Sequence, residues 1–385
     1  MLVFWLACSG AQDNVTPELK MGGAEGVLIE DVRVYQGPEV GAVPLLGGRD
    51  AVLRVAIASD RMGETFTVRL TSSGQEFDQE MTLADELLVP VPGDTIQTGL
   101  DFTVEVLEIE GKNADASWSE SFLVDEQGLD IKIVLVPFAY YADGSGRLPD
   151  LSEESLASLE DRAMQLYPAA TVNIEVHEVI DWYAAIEPNG QGWQEVGFEL
   201  FQLRSSENPD EDVYYYGVFN PRSSFASWCG QGCLNGVTLL NDDPDDTGIA
   251  ALRLALGTGF EDYFADTMLH ELGHAMGREH ADCGAGIDPS SIDRDYPYNN
   301  GGIGAEAVDL VNVSVVSDGY ADIMSYCSDI WISDYTYMAV LDRGLAIRPD
   351  GGQADSAAPT LSFEPVPGAT FVAWDHLPGG VYITR

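Results

Sequence analysis

The sequence predicts an α+β chain in two main parts: an all-β sandwich domain over residues 26–125, followed over 129–346 by a domain that combines strands with helices. Three observations support this reading. The first part consists of short alternating or β-branched runs separated by Gly, Pro, Asp and Asn turns, which is typical of sandwiches. The second part alternates strand-like with helix-like stretches. The change of pattern falls around residues 126–128.

In the first part, candidate strands recur at regular intervals, at residues 27–35, 51–58, 65–71, 101–109 and 118–124. Short strands at such spacing, bounded by turn residues, predict a small β-sandwich. No cluster of catalytic residue types falls among them. We therefore expect the chemistry in the second part.

The second part opens with a buried strand at 130–138. Ser152 then predicts the N-cap of a helix that runs to about Leu166, because a serine hydroxyl accepts a hydrogen bond from a first-turn amide. The pattern continues with a strand at 172–180, a helix near 193–203, and strands at 212–219 and 235–241. The segment 347–385 reads as a linker and a short β-rich end.

The chain is strongly acidic: its 385 residues include 18 Lys and Arg against 64 Asp and Glu, a formal net charge of −46. Nucleic acids and anionic membrane surfaces are therefore excluded as electrostatically attracted partners, because phosphate contacts require clustered basic side chains. A hydrophobic content of 45% is ample for packed cores. The acidity favours a saline or extracellular setting.

An apolar run over residues 1–7 ends at Cys8. It is too short to span a bilayer, and it resembles the end of a bacterial lipoprotein signal, in which the cysteine is lipidated. Residues 1–25 are thus read as a signal-like segment with a linker, and Cys8 as a lipid anchor. A frayed start with a free thiol is the alternative. The expected location is extracellular or the bacterial cell surface, with an outer-membrane lipoprotein as one form.

Four further cysteines, Cys229, Cys233, Cys283 and Cys327, form an even number, which in an exported protein predicts two disulfides. Three pairings are open. We favour Cys229 with Cys233 and Cys283 with Cys327. A four-cysteine zinc site is the weaker alternative, because the spacing lacks two C-x₂-C pairs.

The stretch that carries chemistry is His270-Glu271-Leu-Gly-His274-Ala-Met-Gly277-Arg-Glu-His280, which matches H-E-x-x-H-x-x-G-x-x-H. Histidines four apart lie on one face of a helix, so His270 and His274 can bind one ion. Gly277 tolerates the left-handed conformation that reverses the chain, which lets His280 return as a third ligand. Three imidazoles leave the fourth tetrahedral position to water, as in a catalytic zinc site.

Glu271 lies one step round the same helix. It is close enough to take a proton from the water that a zinc ion activates and to deliver it to a leaving amine, so the motif predicts peptide-bond hydrolysis without a covalent intermediate. We expect Thr258 and Glu261 to form a capping box at the start of this helix.

This motif resembles that of the metzincin zinc endopeptidases, whose second signature is a tight turn with a methionine beneath the zinc ligands. Residues 322–327, Asp-Ile-Met-Ser-Tyr-Cys, resemble that turn. The resemblance implies that Met324 forms an apolar floor under the imidazoles. It also implies that Tyr326 hydrogen-bonds the transition-state oxyanion, as in astacin-like and serralysin-like members, with a packed aromatic as the alternative. A helix at 334–344, capped by Ser333, would follow the turn.

The resemblance covers about residues 130–345 and implies a metzincin-like catalytic domain, a mixed sheet with the active-site helix. In that fold an edge strand precedes the active-site helix, and 235–241 takes the matching place. An extended substrate is therefore expected to pair with the main chain of Asn235, Gly236, Val237 and Thr238. The chain looks closest to bacterial secreted metzincins of the mucin-protease-like kind.

Two further stretches are binding candidates. In the family, the region matching 282–321 lines the primed-side pocket, so Tyr296 and Tyr298 could shape specificity, with a solvated loop as the alternative. Residues 241–246 pack four aspartates into six positions. Such a run could bind Ca²⁺, although a solvated acidic turn is the favoured reading.

The sequence thus predicts a zinc-dependent endopeptidase with one catalytic Zn²⁺, acting on extracellular proteins or glycoproteins. The alternative, from another functional class, is a surface-attached binding or adhesion protein whose zinc-protease-like domain is inactive. The presence of Glu271 argues against such decay. Hydrolysis of a non-peptide amide would keep the same residues and change only the substrate.

Overall fold

The computed structural model describes residues 26–108, 114–124, 126–230, 232–240, 252–284, 287–317, 319–348 and 370–374. The predicted signal-like segment 1–25 with Cys8, the acidic run 241–246 and most of 347–385 lie outside these ranges. The described chain is a mixed α+β structure in which β-sheet predominates.

The chain divides into two compact units. The first unit comprises residues within 1–32, 55–87 and 99–123, and the second comprises 33–54, 88–98 and the chain from 124 onward. The second unit thus includes two segments, 33–54 and 88–98, from the region in which the sequence predicts the sandwich.

The amino-terminal region is built from strands alone, apart from a short 3-10 turn at Gly93–Thr95. The strands are β1 (Val27–Tyr35), β2 (Leu46–Gly47), β3 (Ala51–Ser59), β4 (Thr65–Ser72), β5 (Gln75–Thr82), β6 (Glu86–Val91), β7 (Leu100–Leu107), β8 (Ala114–Phe122) and β9 (Glu126–Gln127).

An antiparallel four-stranded sheet has the order β5-β4-β7-β8, and a three-stranded sheet has the order β1-β3-β6. Along β4, the side chains of Phe66, Val68 and Leu70 are buried and alternate with more exposed neighbours, so one face of the sheet is covered. The five predicted strands are confirmed, whereas β5 and β6 are not predicted. β5 is a largely exposed edge strand with a polar sequence, Gln-Glu-Phe-Asp-Gln-Glu-Met-Thr, so it carries no clear alternation signal.

The remaining strands are β10 (Leu129–Tyr140), β11 (Ala169–Val176), β12 (Ile180–Trp182), β13 (Val213–Phe219), β14 (Gly236–Leu240), β15 (Leu254–Thr258), β16 (Ala307–Asp309), β17 (Ser314–Val316), β18 (Ala321–Asp322), β19 (Ile330–Trp331) and β20 (Thr370–Trp374). The helices are α1 (Glu153–Leu166), α2 (Trp193–Glu207), α3 (Phe225–Cys229), α4 (Phe264–Ala275) and α5 (Asp334–Ala346), with a 3-10 turn at Asn299–Gly301.

A seven-stranded mixed sheet organises the second unit, in the order β11-β10-β13-β15-β14-β20, with β12 paired to β10. β10, β11, β12, β13 and β15 run parallel to one another, and β14 is antiparallel to both β15 and β20. β14 therefore has a partner on each side.

Helices cover both faces of this sheet. From β10, Ile133 and Leu135 join a core that includes residues of α1, α4 and α5, whereas Val136 and Phe138 join a second core with residues of α2 and α3. Because the central strands are buried on both faces, they read as continuous apolar runs rather than alternating ones. β15, which the sequence did not predict, is of this kind and is buried throughout.

The predicted N-caps of two helices are confirmed. The hydroxyl of Ser152 accepts a hydrogen bond from Ser155 N at the start of α1, and that of Ser333 accepts one from Thr336 N at the start of α5. The predicted strand at 172–180 is two strands, β11 and β12, which both pair with β10.

The predicted capping box of Thr258 and Glu261 is wrong. Thr258 ends β15, where its buried hydroxyl donates to Asn235 Oδ1, so it is already engaged in the sheet. α4 begins later, at Phe264, without a side-chain cap. Its burial against the sheet, rather than a capping residue, stabilises this helix.

Both favoured disulfide pairings are present: Cys229 with Cys233, and Cys283 with Cys327, at Cα–Cα distances of 4.7 and 5.6 Å. None of the helices within the described ranges has the length and apolar composition needed to cross a membrane.

The two disulfides should differ in their effect on stability. Cys283–Cys327 closes a separation of 44 residues and Cys229–Cys233 one of only 4. In the loop-entropy model, the paired serine substitutions would cost about 4 kcal/mol for the first and about 2 kcal/mol for the second. Urea unfolding of both double variants measures this order, and a larger loss for the 229–233 variant would contradict it.

Candidate metal centre

Three histidines meet beside the carboxyl-terminal end of α4. His270 and His274 are one turn apart on this helix. The chain then reverses at Gly277, which has a φ of 84°, while Arg278 N donates to the carbonyl of Gly273 at 3.0 Å. This ending, predicted from the glycine, carries the chain back so that His280 faces the other two.

The position of His280 is fixed by main-chain pairing. Its amide donates to the carbonyl of Ser291 at 2.9 Å, and its own carbonyl accepts from Asp293 N at 2.9 Å. The third histidine is thus held by the following loop rather than by the helix. The spacing of the motif predicts that the chain returns His280 to the site, but it does not identify Ser291 as the hydrogen-bond partner of His280.

The three imidazoles present their Nε2 atoms to one point. The Nε2 of His274 lies 3.0 Å from that of His270 and 3.2 Å from that of His280. The three residues offer ligand atoms that all lie within 4.8 Å of one another. All three side chains are buried.

The hydrogen bonds of the Nδ1 atoms define the tautomers. His270 Nδ1 lies 2.6 Å from the carbonyl oxygen of Ile323, and His274 Nδ1 lies 2.5 Å from that of Arg278. A carbonyl only accepts, so both Nδ1 atoms carry the proton. His280 Nδ1 lies 2.9 Å from Ser291 Oγ, whose own hydrogen is donated to the carbonyl of Asp288. That hydroxyl therefore accepts, and His280 is protonated on Nδ1 as well.

Protonation at Nδ1 directs a lone pair from each Nε2 into the shared space. Burial lowers the pKa of His274 to about 4 and, with the neighbouring histidines, lowers the pKa of His280 well below its ordinary value. Both rings are therefore neutral near pH 7. Acceptor nitrogens about 3 Å apart repel one another unless a cation lies between them, and neutral imidazole is the form that binds metals.

The donor set fits a metal ion. Two nitrogens bound to one tetrahedral ion at about 2.0–2.1 Å lie about 3.3 Å apart, close to the separations seen here. The His270, His274 and His280 group can thus hold a metal ion, as the sequence predicts. Imidazole suits several divalent metals, so the geometry does not by itself select one.

Glu271 follows His270 on α4 and is fully buried. Both of its carboxylate oxygens are buried and lack a hydrogen-bond partner within the part of the chain that the structure describes. Desolvation raises the pKa of its carboxyl group well above the ordinary value. A Cβ added to Gly236 would lie 2.4 Å from Glu271 Oε1, so the main chain of β14 directly adjoins this carboxylate.

Met324 lies against α4 and is almost fully buried. A Cβ added to Gly273 would lie 2.5 Å from its sulfur, so the absence of a side chain on the helix makes room for it. The preceding residue, Ile323, supplies the carbonyl that binds His270. The turn thus lies against α4 and contacts His270, and the role of Met324 as a floor under the imidazoles stays a prediction.

Tyr326 also lies next to the histidine group. Its ring packs edge-on against the His280 ring, with 4.8 Å between ring centroids, and lies 6.0 Å from that of His270. It is only partly buried. The Cys283–Cys327 disulfide follows directly, and Tyr326 N donates to the carbonyl of Cys283 at 2.8 Å.

The predicted substrate-binding residues lie on or next to β14. Asn235 precedes the strand, and its side-chain amide donates to Thr267 Oγ1 of α4 at 2.7 Å. The hydroxyl of Thr238 donates to the carbonyl of Leu254 at 2.7 Å, and the side chain of Val237 is buried. These side chains are buried or engaged within the domain, so they are not available to bind a peptide.

The free edge that the sequence expects on β14 is occupied. β20 pairs antiparallel with β14, from Gly236 with Trp374 to Leu240 with Thr370, and β20 also contacts α4. A sequence prediction could not find this pairing, because the two strands are far apart in the chain.

The tyrosines of the 282–321 loop have internal partners. Tyr296 OH donates to the carbonyl of Gly302 at 2.7 Å, and Tyr298 OH donates to Asp334 Oδ1 at 2.6 Å. Their predicted influence on specificity stays a prediction.

Comparisons with known proteins add little. No family model matches the chain, and no curated protein matches it. Among solved structures, a bacterial immunoglobulin-like domain from the M. primoryensis ice-binding adhesin matches 20% of this chain and 78% of that chain, at 21% identity and a TM-score of 0.17. We base no conclusion on a similarity at that TM-score.

We expect each of His270→Ala, His274→Ala and His280→Ala to abolish stoichiometric metal binding, because two imidazoles hold an ion far more weakly than three. His177→Ala is the matched control, since His177 is a partly buried histidine that pairs with Glu207 instead of the other histidines. Metal content after dialysis, measured by mass spectrometry, checks this. Retention of one metal ion by all three variants would contradict the assignment.

Proposed function

We propose that the chain is a zinc-dependent endopeptidase of the metzincin type, which hydrolyses peptide bonds of extracellular proteins or glycoproteins. The observation that carries the proposal is the juxtaposition of two features. Three imidazoles direct Nε2 to one point, and the carboxylate of Glu271, which follows His270 on α4, lacks a hydrogen-bond partner in the described chain and adjoins the main chain of β14. A merely structural metal site would not require a buried carboxylate beside it.

The donor set favours zinc. Three histidine ligands with a remaining open position are typical of catalytic zinc sites, whereas structural sites close all four positions with protein ligands. Within the described ranges, the group consists of three histidines and no fourth ligand residue. Zinc held here would polarise a substrate carbonyl and make a water molecule acidic enough to react near neutral pH.

Glu271 is the proposed general base. Its burial raises the pKa of the carboxyl group, so the carboxylate is a stronger proton acceptor than one in water. It would take the proton of the attacking water and hold it on a carboxylate oxygen. It would then transfer this proton to the leaving amine.

Tyr326 is the proposed oxyanion donor. Its ring packs against His280, and the side chain is only partly buried, so the phenol is near the metal ligands yet accessible. A phenolic O–H donates a hydrogen bond without carrying a charge, which suits a group that stabilises developing negative charge in the transition state.

The substrate would bind as an added strand. β14 begins at Gly236, the residue whose main chain adjoins Glu271, so a peptide paired with β14 would be led to the carboxylate. Main-chain pairing of this kind depends little on the peptide sequence. Because β20 occupies that edge, an extended substrate would first have to displace it.

The two disulfides support an oxidising compartment, since such bonds persist mainly in exported proteins. We therefore propose an extracellular or cell-surface location. Lipid attachment at Cys8 and calcium binding at 241–246 lie outside the described residues and stay predictions.

Glu271→Gln tests the function directly. The amide keeps the size of the side chain but cannot take a proton, so cleavage of a reduced, alkylated protein should fall by about 10²–10⁴-fold. Zinc content should stay at that of the wild type, because Glu271 is not a ligand. Glu261→Gln, the same chemical change at an exposed turn of the chain, should have no effect.

Two results would overturn the proposal. One is a wild-type protein that binds one zinc ion yet cuts no unfolded protein, which would favour the binding-protein alternative. The other is unchanged cleavage by the Glu271→Gln variant.

Removal of residues 349–385 should expose the β14 edge. Amides of Gly236–Leu240 should then exchange with deuterium faster, and cleavage of an extended peptide should increase, because no strand competes with it. Amides of β13 are the internal control, since β13 pairs with β10 and β15 and not with β20. Unchanged exchange in β14 would show that β20 does not protect it.

A further inference from the structure

The carboxylate of Asp322 lies at a junction beneath the metal centre. Asp322 ends β18 and is fully buried. Its Oδ1 accepts a hydrogen bond from Met324 N at 2.8 Å, and its Oδ2 accepts one from Ser333 N at 2.9 Å. Each oxygen thus binds a different segment: the turn that follows the strand, and the N-cap of α5.

The turn held by Asp322 carries two atoms that fix the centre. The carbonyl of Ile323 accepts from His270 Nδ1 at 2.6 Å. The carbonyl of Met324 accepts from the amide of Ala281, directly after His280, at 2.9 Å. One buried carboxylate therefore orients the turn that contacts the first and the third histidine segments.

Only a carboxylate serves this junction well. Both of its oxygens accept, whereas an amide would turn an NH₂ group toward one of the two backbone N–H donors. Across the described ranges, no lysine or arginine forms an ion pair with Asp322, so its hydrogen bonds and the N-terminus of α5 are what stabilise the buried charge. Burying a carboxylate costs free energy even when main-chain donors hold it, so we expect its geometry to be needed.

We propose that Asp322 is a positioning residue for the metal centre. It fixes the Ile323 carbonyl so that His270 keeps its proton on Nδ1 and directs Nε2 to the ion. Partners that orient metal-binding imidazoles in this way affect metal affinity by about 10–100-fold. The inference rests on the proposed metal centre but not on the proposed hydrolysis.

A buried aspartate elsewhere in the same unit provides a matched control. Asp309 Oδ1 accepts from Val311 N at 2.9 Å and from Asn312 N at 3.1 Å, and Gln165 donates to its carboxylate. Asp309 thus also ties main-chain segments together, but among the described residues its partners form no hydrogen bond to the three histidines. Substitution there should reduce stability without changing metal affinity.

The experiment compares Asp322→Asn with Asp309→Asn. The zinc dissociation constant of each full-length variant is measured by competition with a chromophoric chelator, at a temperature at which circular dichroism shows it to be folded. We expect Asp322→Asn to weaken zinc binding by about 10–100-fold, and Asp309→Asn to leave it within about twofold of the wild type, even where both lower the melting temperature. Equal zinc affinities of the two variants would overturn the inference.

Should Asp322→Asn not fold, Thr336→Val takes its place, because the Thr336 hydroxyl also hydrogen-bonds to Asp322. A weaker zinc affinity at an unchanged melting temperature supports the inference, and an unchanged affinity contradicts it. Failure of the wild type to bind zinc would instead contradict the metal centre itself, so the two failures are distinguishable.

Discussion

Three buried imidazole nitrogens that face one another are the constraint on which the other features of the site depend. Their Nε2 atoms lie 3.0 and 3.2 Å apart in successive pairs, and each ring is protonated on the opposite nitrogen. A cation held between the three nitrogens would relieve the repulsion of their lone pairs. Three features hold this arrangement: the buried face of α4, the reversal at Gly277 and the turn that contains Met324.

The proposed chemistry depends on what borders the three rings. Glu271 follows a ligand in sequence and adjoins the first residue of β14, where the glycine at 236 leaves room for the carboxylate. The same strand is the proposed platform for an extended peptide. The proposed general base and the proposed peptide platform are therefore held together by packing between one helix and one strand. The pairing of β20 with β14 places part of the chain's own carboxyl-terminal region on this platform.

Much of this could be predicted from the sequence, for definable physical reasons. The histidine spacing, Gly277 and the N-caps Ser152 and Ser333 are local signals, and the structure contains each as predicted. Features that depend on contacts between distant segments were not predictable. No sequence pattern identifies the contacts of Ser291, the Ile323 carbonyl and β20. These contacts are made largely by main-chain groups, whose partners depend on the fold and not on residue type. The sequence predicts Thr258 as the cap of a helix, whereas it ends the buried strand β15. In a short apolar run, residue type alone does not distinguish a buried strand from the start of a helix.

X-ray absorption at the zinc edge, on the purified full-length protein loaded with one equivalent of zinc, tests the central claim most directly. The account predicts a single site with three nitrogen neighbours at about 2.0–2.1 Å, of imidazole type, and the remaining position filled by a light atom from solvent. A shell that contains sulfur, a shell of six oxygens or fewer than three imidazoles would contradict it. Any of these results would mean that the three histidines do not share one metal ion.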